Sequence, residues 1–424
     1  MKKNKQNLRS LLTLIKPTPW TIWLGFLGLV MLTALGGAIL VFWNGLWITH
    51  LTDLVPWGLW ITIDLSSVAL SAGAFSLCAA VYLIGLKRYE PIARTATFIG
   101  LVGYSMAMMA LLLDIGRPDR FWHSMVFWND HSLLWEVTMC VCLYLTVLLF
   151  ESMPILANWN WLKKNFPKVT AIMSHVHHYA PYLAVAGLCL SMLHQSSLGA
   201  VYGVLSAHPF WYKPEMSVLF IFSAVIGGIS LTLFASMIAS RLTPRAKVND
   251  VLIERVAYFV AWALVGYLYF RFWDVWSQNY TYEPGRTEGL RLIISGTLSF
   301  NFWVGEMILG TVLPMILLLT PDTRKHPFWR TLALGLVVSG VVAFRWDTNL
   351  AGLMVVISYL PGPASISYTS YTPSLIEFIT GSGVIAYGLL AFSLGVRYLQ
   401  VVDHRLASGV HETVEVETLE RVPA

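Results

Sequence analysis

Long uncharged runs alternate with short stretches rich in Lys, Arg, Pro and Gly along the whole chain. A helix that crosses roughly 30 Å of hydrocarbon needs about 20 mainly apolar residues. Ten runs fit that description: 20–42, 57–86, 92–114, 132–152, 179–203, 216–240, 252–273, 291–319, 329–346 and 375–399. The ninth is the shortest and carries Arg345 near its end. The pattern therefore predicts an all-α integral membrane protein of about ten transmembrane helices, with no room for a soluble catalytic domain. The first run follows a basic stretch and is long for a signal peptide, so it is read as a helix.

Composition sharpens this picture. Only 12% of the 424 residues are charged and 56% are hydrophobic, against about one quarter charged in a soluble domain. That excludes a soluble globular protein, a disordered chain and a nucleic-acid binder. The net charge of +5 reflects topology. Seven of the 28 Lys and Arg fall on one side of the spans (Arg117, Arg120, Lys213, Arg271, Arg286, Arg291, Arg345), and the other 21 lie at the N-terminus, at the C-terminus and after even-numbered spans. By the positive-inside rule both termini are cytoplasmic, in a bacterial or archaeal cytoplasmic membrane. Four Cys exclude a disulfide framework. Cys78, Cys140, Cys142 and Cys189 read as small buried hydrophobes.

An ionisable side chain at bilayer depth is costly and is a functional candidate by default. Counted at 1.5 Å per residue, Asp64 lies about 10 Å below the outer surface in span 2, Glu136 about 6 Å inside span 4, and His194 about 12 Å from the outer end of span 5. Asp114 closes span 3 at the same face, with Arg117 and His123 just above. Short loops make these spans antiparallel neighbours. The expected geometry is a four-helix bundle with an outward-opening polar pocket, rimmed by Trp57, Trp60, Trp122 and Trp135. Gln195, Ser196 and Ser197 add hydrogen-bonding capacity. Two plainer readings stay open: Asp114 and Arg117 pair to fix packing, and Ser serves as interhelical glue. A sparser set, Glu306 with Arg345 and with Arg271, Asp274 and Asp347, belongs to the later spans. Glu306 reads equally as part of a proton path or as a buried partner of Arg345.

Haem held between helices needs inward-facing axial ligands, usually His. Of eleven His only His194 is well inside a span, so neither haem nor an iron–sulfur cluster is expected in this chain, and no metal motif is evident.

Several segments carry a resemblance: PWGLWITID at the start of span 2, LLLDIGRP, SLLWE at 132–136, MLHQSSLG, HPFW at 208–211, FWVGE at 302–306, and an Arg near the end of span 9. In this order they resemble the NrfD-like family of polytopic membrane subunits of redox complexes, and within it the hydrogenase-type (HybB-like) branch. The resemblance covers nearly all of residues 20–400. It implies two four-helix bundles, spans 2–5 and 6–9, with a quinone site near the outer face of the first. It also implies a ferredoxin-like iron–sulfur subunit on the periplasmic loops and a further catalytic or cytochrome subunit. The chain then divides into a cytoplasmic segment 1–19, a first helix and outer loop 20–56, bundles 57–203 and 216–346, an outer loop with the last helix 347–400, and a cytoplasmic tail 401–424.

The expected function is electron transfer between an external iron–sulfur cluster and the quinone pool, menaquinone or ubiquinone. Asp64, Glu136 and His194 carry the proton chemistry, with Trp57, Trp60, Asp114, Arg117, His123 and Gln195 around the quinone and Glu306 and Arg345 as proton-path candidates. The alternative is a proton-translocating or transporter module in which Glu306 and His175, His177 and His178 continue a path inward. Against a stand-alone transporter, the halves show no matching Gly/Pro-broken helices. The plainest reading is a tether for a soluble enzyme.

Overall fold

The computed structural model describes residues 18–82, 85–280, 282–358 and 365–404. Within them ten helices are long and apolar enough to cross a membrane. They are α1 (Pro19–Asn44), α2 (Leu59–Tyr82), α3 (Glu90–Asp114), α4 (Leu133–Leu156), α5 (Ala180–Gly203), α6 (Glu215–Leu242), α7 (Asp250–Tyr280), α8 (Asn301–Val312 continuing through Leu313–Leu319), α9 (Pro327–Leu353) and α10 (Leu375–Tyr398). The cytoplasmic segment expected over 1–19 and the tail beyond His404 lie almost wholly outside the described residues, as does the side chain of His177.

Helix α2 is buried on nearly every side. It packs on α3 and α5, and α4 packs on both of those. Helices α6, α7, α8 and α9 pack around one another, and α6 and α9 lie against α2. At that junction the backbones meet. A Cβ on Gly73 would stand 1.6 Å from the Ala224 carbonyl, and one on Gly228 would stand 2.1 Å from the Ala74 amide. Small residues here do what they commonly do in membrane helices: they let main chains approach and gain dispersion contact. Helix α1 exposes most of its surface and pairs with α10 beside α3. Thr18 caps α1 and Ser374 caps α10, each in a reciprocal box with the residue three positions on.

Helix boundaries differ from the sequence reading where charge was taken as an end signal. The run 291–319 is two helices, Arg286–Ile294 and α8, separated by a turn at Ser295 and Gly296. Conversely, Arg271, Asp274, Arg345 and Asp347, expected at helix ends, lie inside α7 and α9. Buried partners let the helices continue past them. The first twelve residues of α8 are π-helical. Pro314 has no N–H to offer the preceding turn, and the Thr311 hydroxyl donates to the Glu306 carbonyl at 2.8 Å. The loop after α9 folds into a small antiparallel hairpin, β1 (Val355–Ser358) against β2 (Ser365–Tyr368). Cys78 and Cys140 are buried as expected, but Cys142 is half-buried and Cys189 faces outward.

After α10 the chain turns back across the ends of α3 and the α6–α7 loop. The Thr95 hydroxyl donates to the Val401 carbonyl at 2.9 Å, and the His404 amide donates to the Lys247 carbonyl at 2.7 Å. The His404 ring accepts from the Asn249 amide at 3.3 Å. Burial pushes this imidazole down to about 4, with Asp403 opposing. A depressed folded-state value means the strap's contribution is complete above the ordinary value near 6.5 and is lost as pH falls toward 4. The wild-type thermal midpoint is therefore expected to fall faster than that of His404→Gln over this window. Parallel curves would contradict the assignment.

Candidate functional site

The motif PWGLWITID leads into α2, and its polar groups before Asp64 are engaged. The Trp57 carbonyl accepts from Asn349 Nδ2 at 2.8 Å, and its ring stacks on Trp211 with centroids 5.9 Å apart. Gly58 is required because the Tyr371 hydroxyl occupies the space of a Cβ, 2.1 Å from it. That hydroxyl accepts from the Leu59 amide at 2.9 Å and donates to Glu377. Trp60, expected at the rim, is instead buried against α10, donating to Thr380 Oγ1 at 2.8 Å. Its indole N–H needs a partner once desolvated, and α10 supplies it.

One turn further on, Asp64 is buried, and its Oδ1 has no hydrogen-bond partner. It senses the charge of Asp114 at the end of α3, which likewise leaves Oδ1 buried and unpartnered. His194 on α5 is 1% exposed. Its Nδ1 shares a 2.6 Å hydrogen bond with the Tyr104 hydroxyl of α3, and its Nε2 is buried without a partner. Tyr104 interacts electrostatically with Asp64, and Tyr202 with Asp64, Asp114 and Arg345. Groups from α2, α3, α5 and α9 thus form one connected polar layer, which extends about 15 Å inward along α3 from Asp114 to Tyr104 and His194. Gln195 faces the other side of α5, where its Oε1 meets Arg345 at 3.4 Å while its Nε2 is unpartnered. Arg345 is fully buried over the Phe220 ring at 3.6 Å and donates to the Phe220 carbonyl and Ser223 at 3.0 Å each. Its Nε and Nη1 have no partner.

Three expected members have partners of their own outside the Asp64, Asp114 and His194 set. Glu136 is half-buried on α4 and accepts from the Ser197 hydroxyl at 2.7 Å. Arg117 does not pair with Asp114. It lies exposed on the following loop and is bidentate to Asp119 at 3.0 Å, which raises its own value and lowers that of Asp119. His123 packs edge-on against Trp122, centroids 4.3 Å apart, on the same loop. Trp122 is exposed there, and Trp135 donates to the Ser124 carbonyl at 2.8 Å.

The pairing of Glu306 with Arg345 is also replaced. Glu306 Oε1 accepts from Arg271 Nε and from the Tyr267 hydroxyl, both at 2.8 Å. Arg271 in turn binds Asp274, which binds Lys213 from the loop before α6. All of these side chains are buried. The alternation of charge gives each ion an opposite neighbour, the condition under which buried ions are tolerated.

Sequence reasoning missed Tyr104, Tyr202, Asn349, Glu377 and Lys213. Asn349 follows Arg345 by four residues and so shares its helix face, a signal that was available. The two tyrosines lie in apolar runs and gave none.

Among the described residues no cluster of His, Cys, Asp and Glu has the geometry to hold a metal ion. His194 is the one imidazole inside a described span, and Tyr104 already holds its Nδ1, which does not supply the facing pair a bis-histidine haem requires.

A family profile described as "Polysulphide reductase, NrfD" matches residues 47–357. The integral membrane subunit of menaquinone reductase from Nitratidesulfovibrio vulgaris is 32% identical over 90% of this chain and 91% of its own length. The Hdr-like menaquinol oxidoreductase integral membrane subunit of Archaeoglobus fulgidus is 26% identical over 91% and 94%. The probable Ni/Fe-hydrogenase 2 b-type cytochrome subunit of Escherichia coli is 24% identical over 84% and 86%. With ten spanning helices and a profile match over most of its length, the chain is a multi-pass integral membrane protein that belongs to the NrfD family.

Proposed function

We propose that this chain is the quinone-interacting membrane subunit of a respiratory redox complex. It passes electrons between an iron–sulfur partner on the periplasmic side and the membrane quinone pool. One observation carries the reading: Asp64 Oδ1, Asp114 Oδ1 and His194 Nε2 are buried and unpartnered, and Asp64 interacts both with Asp114 and with the Tyr104 that holds His194. Buried polar atoms are normally satisfied. Three left open, with Tyr202 joining the carboxyls to the rings of Trp57 and Trp211, fit a flat ligand bearing oxygen atoms. A quinone accepts two electrons and two protons when it is reduced. His194 Nε2 is positioned to hydrogen-bond one oxygen, with Tyr104 fixing the ring, since the partner of one imidazole nitrogen sets the role of the other. Asp64 and Asp114 form a carboxyl pair able to deliver and recover protons. Gln195 and Arg345 offer further donors where α5 meets α9. The names of the relatives favour menaquinone over ubiquinone.

A second reading, in which protons also cross the membrane, has a specific support. The Tyr144 ring lies 4.6 Å from that of Tyr104, and Tyr144 senses Glu151 near the other end of α4, whose Oε2 is buried and unpartnered. That line leads away from the layer through the first helix group. Glu306, tied to Arg271, is the weaker relay.

The partners follow from the reading: an iron–sulfur protein docked on the periplasmic loops and a further catalytic or cytochrome subunit, with both termini of this chain cytoplasmic. Purification in mild detergent with mass spectrometry of extracted quinone and co-purifying chains tests it. About one quinone per complex and a cluster-bearing subunit are expected. A lone, quinone-free chain that transports a solute would overturn it.

A further inference from the structure

We infer that the connection between α4 and α5 is an in-plane anchor that binds anionic phospholipid. It joins the end of α4 at Leu156 to the start of α5 at Ala180, the ends away from the polar layer, since His194 lies in the second half of α5 and Asp64 in the second turn of α2. Two short helices fill it, Asn160–Asn165 and Pro167–His175. The second packs on α4, with Thr170 buried. Its free face carries Val169 and Ile172, and Ile172 is 70% exposed, a large apolar surface for a residue at the end of a membrane span.

Trp159, Trp161 and Phe166 extend the same surface. Their rings are in a row, centroids 5.1 Å and 5.9 Å apart, and all three are exposed. Tryptophan in this position belongs to the membrane–water interface, where the ring sits among head groups. Lys163, Lys164 and Lys168 are exposed among these rings. No Asp or Glu occurs from Ser152 to Pro214, so nothing of opposite sign in this stretch answers the three ammonium groups. An apolar face with a basic border is the pattern of a helix lying in a leaflet, and each Lys near an anionic surface adds attraction. Charge complementarity, aromatic row and position at the span ends together select a leaflet of anionic phospholipid as the occupant.

The test uses the full-length protein in mild detergent, titrated with fluorescent phosphatidylglycerol and, separately, phosphatidylcholine. Wild type is expected to prefer phosphatidylglycerol. The triple variant Lys163→Gln, Lys164→Gln, Lys168→Gln should bind it about tenfold more weakly or worse at low salt, with the gap narrowing at high salt. The triple Arg variant should retain the preference. A paired Trp161→Ser, Ile172→Ser variant should weaken both lipids. Equal binding of the two lipids by wild type would overturn the inference. So would unchanged phosphatidylglycerol binding by the Gln variant, or a co-purifying protein that shields Ile172 in place of lipid. Should the Gln variant not fold, the salt dependence of wild type and the Arg variant still decide.

Discussion

Replacing Asp64 by Asn or His194 by Ala is expected to abolish quinone-linked turnover while the complex still assembles. Asp64→Asn conserves shape, and because Oδ1 has no protein partner the change breaks no hydrogen bond there. What it removes is a group that exchanges a proton, and positioned acid–base groups contribute about 10²–10⁴-fold to rate. His194→Ala removes the ligand-facing nitrogen and leaves the Tyr104 hydroxyl without its 2.6 Å partner, so a modest loss of stability accompanies the loss of rate. Glu136→Gln is the control. Its carboxylate already accepts from Ser197, and its effect should be much smaller. Turnover with a soluble quinone analogue, read beside subunit stoichiometry, distinguishes these outcomes. Normal rates in both site variants would remove the assignment.

The largest stability effect is expected at Asp274. Removing its carboxylate by Asp274→Ala leaves Lys213 without an acid partner and Arg271 dependent on Glu306 alone, all within the protein interior. Breaking a buried ion pair from one side costs about 3–5 kcal/mol, because the remaining charge is uncompensated. Loss extends to the loop before α6, since Lys213 ties that loop to α7 and the same loop supplies Trp211, stacked on Trp57. Glu306→Gln is expected to cost less, because Arg271 keeps Asp274 and the amide oxygen still accepts from Tyr267. Thermal midpoints in one detergent rank the two. Equal or negligible shifts would show that the network is not holding α7, α8 and the loop together.

Much of this was legible in the sequence. Runs of apolar length located all ten spans, since helix is the ready way to satisfy backbone groups in hydrocarbon. The motif order pointed to the family that the profile match shows. Depth counting gives Asp64 and His194 similar heights, because rise per residue converts position into height, and Tyr104 is the residue that links them. Counting fails on azimuth. Height does not say which face a side chain leaves from, so height alone puts Trp60 at the rim although it points to α10, and leaves Arg345 open as a partner of Glu306 although Arg271 lies beside it. Charged residues read as span ends misled for the same reason: Asp274 and Asp347 have partners that only packing reveals. The tyrosines of the layer were invisible because one hydroxyl on an aromatic ring does not disturb a hydropathy pattern.

The central claim is that the layer between α2, α3 and α5 seats the quinone. Photolabelling with an azidoquinone, followed by peptide mapping and competition with excess unmodified quinone, tests it most directly. Competable label is predicted on peptides covering residues 57–64, 104–114 and 194–202. Competable label confined to α6–α9 would contradict it.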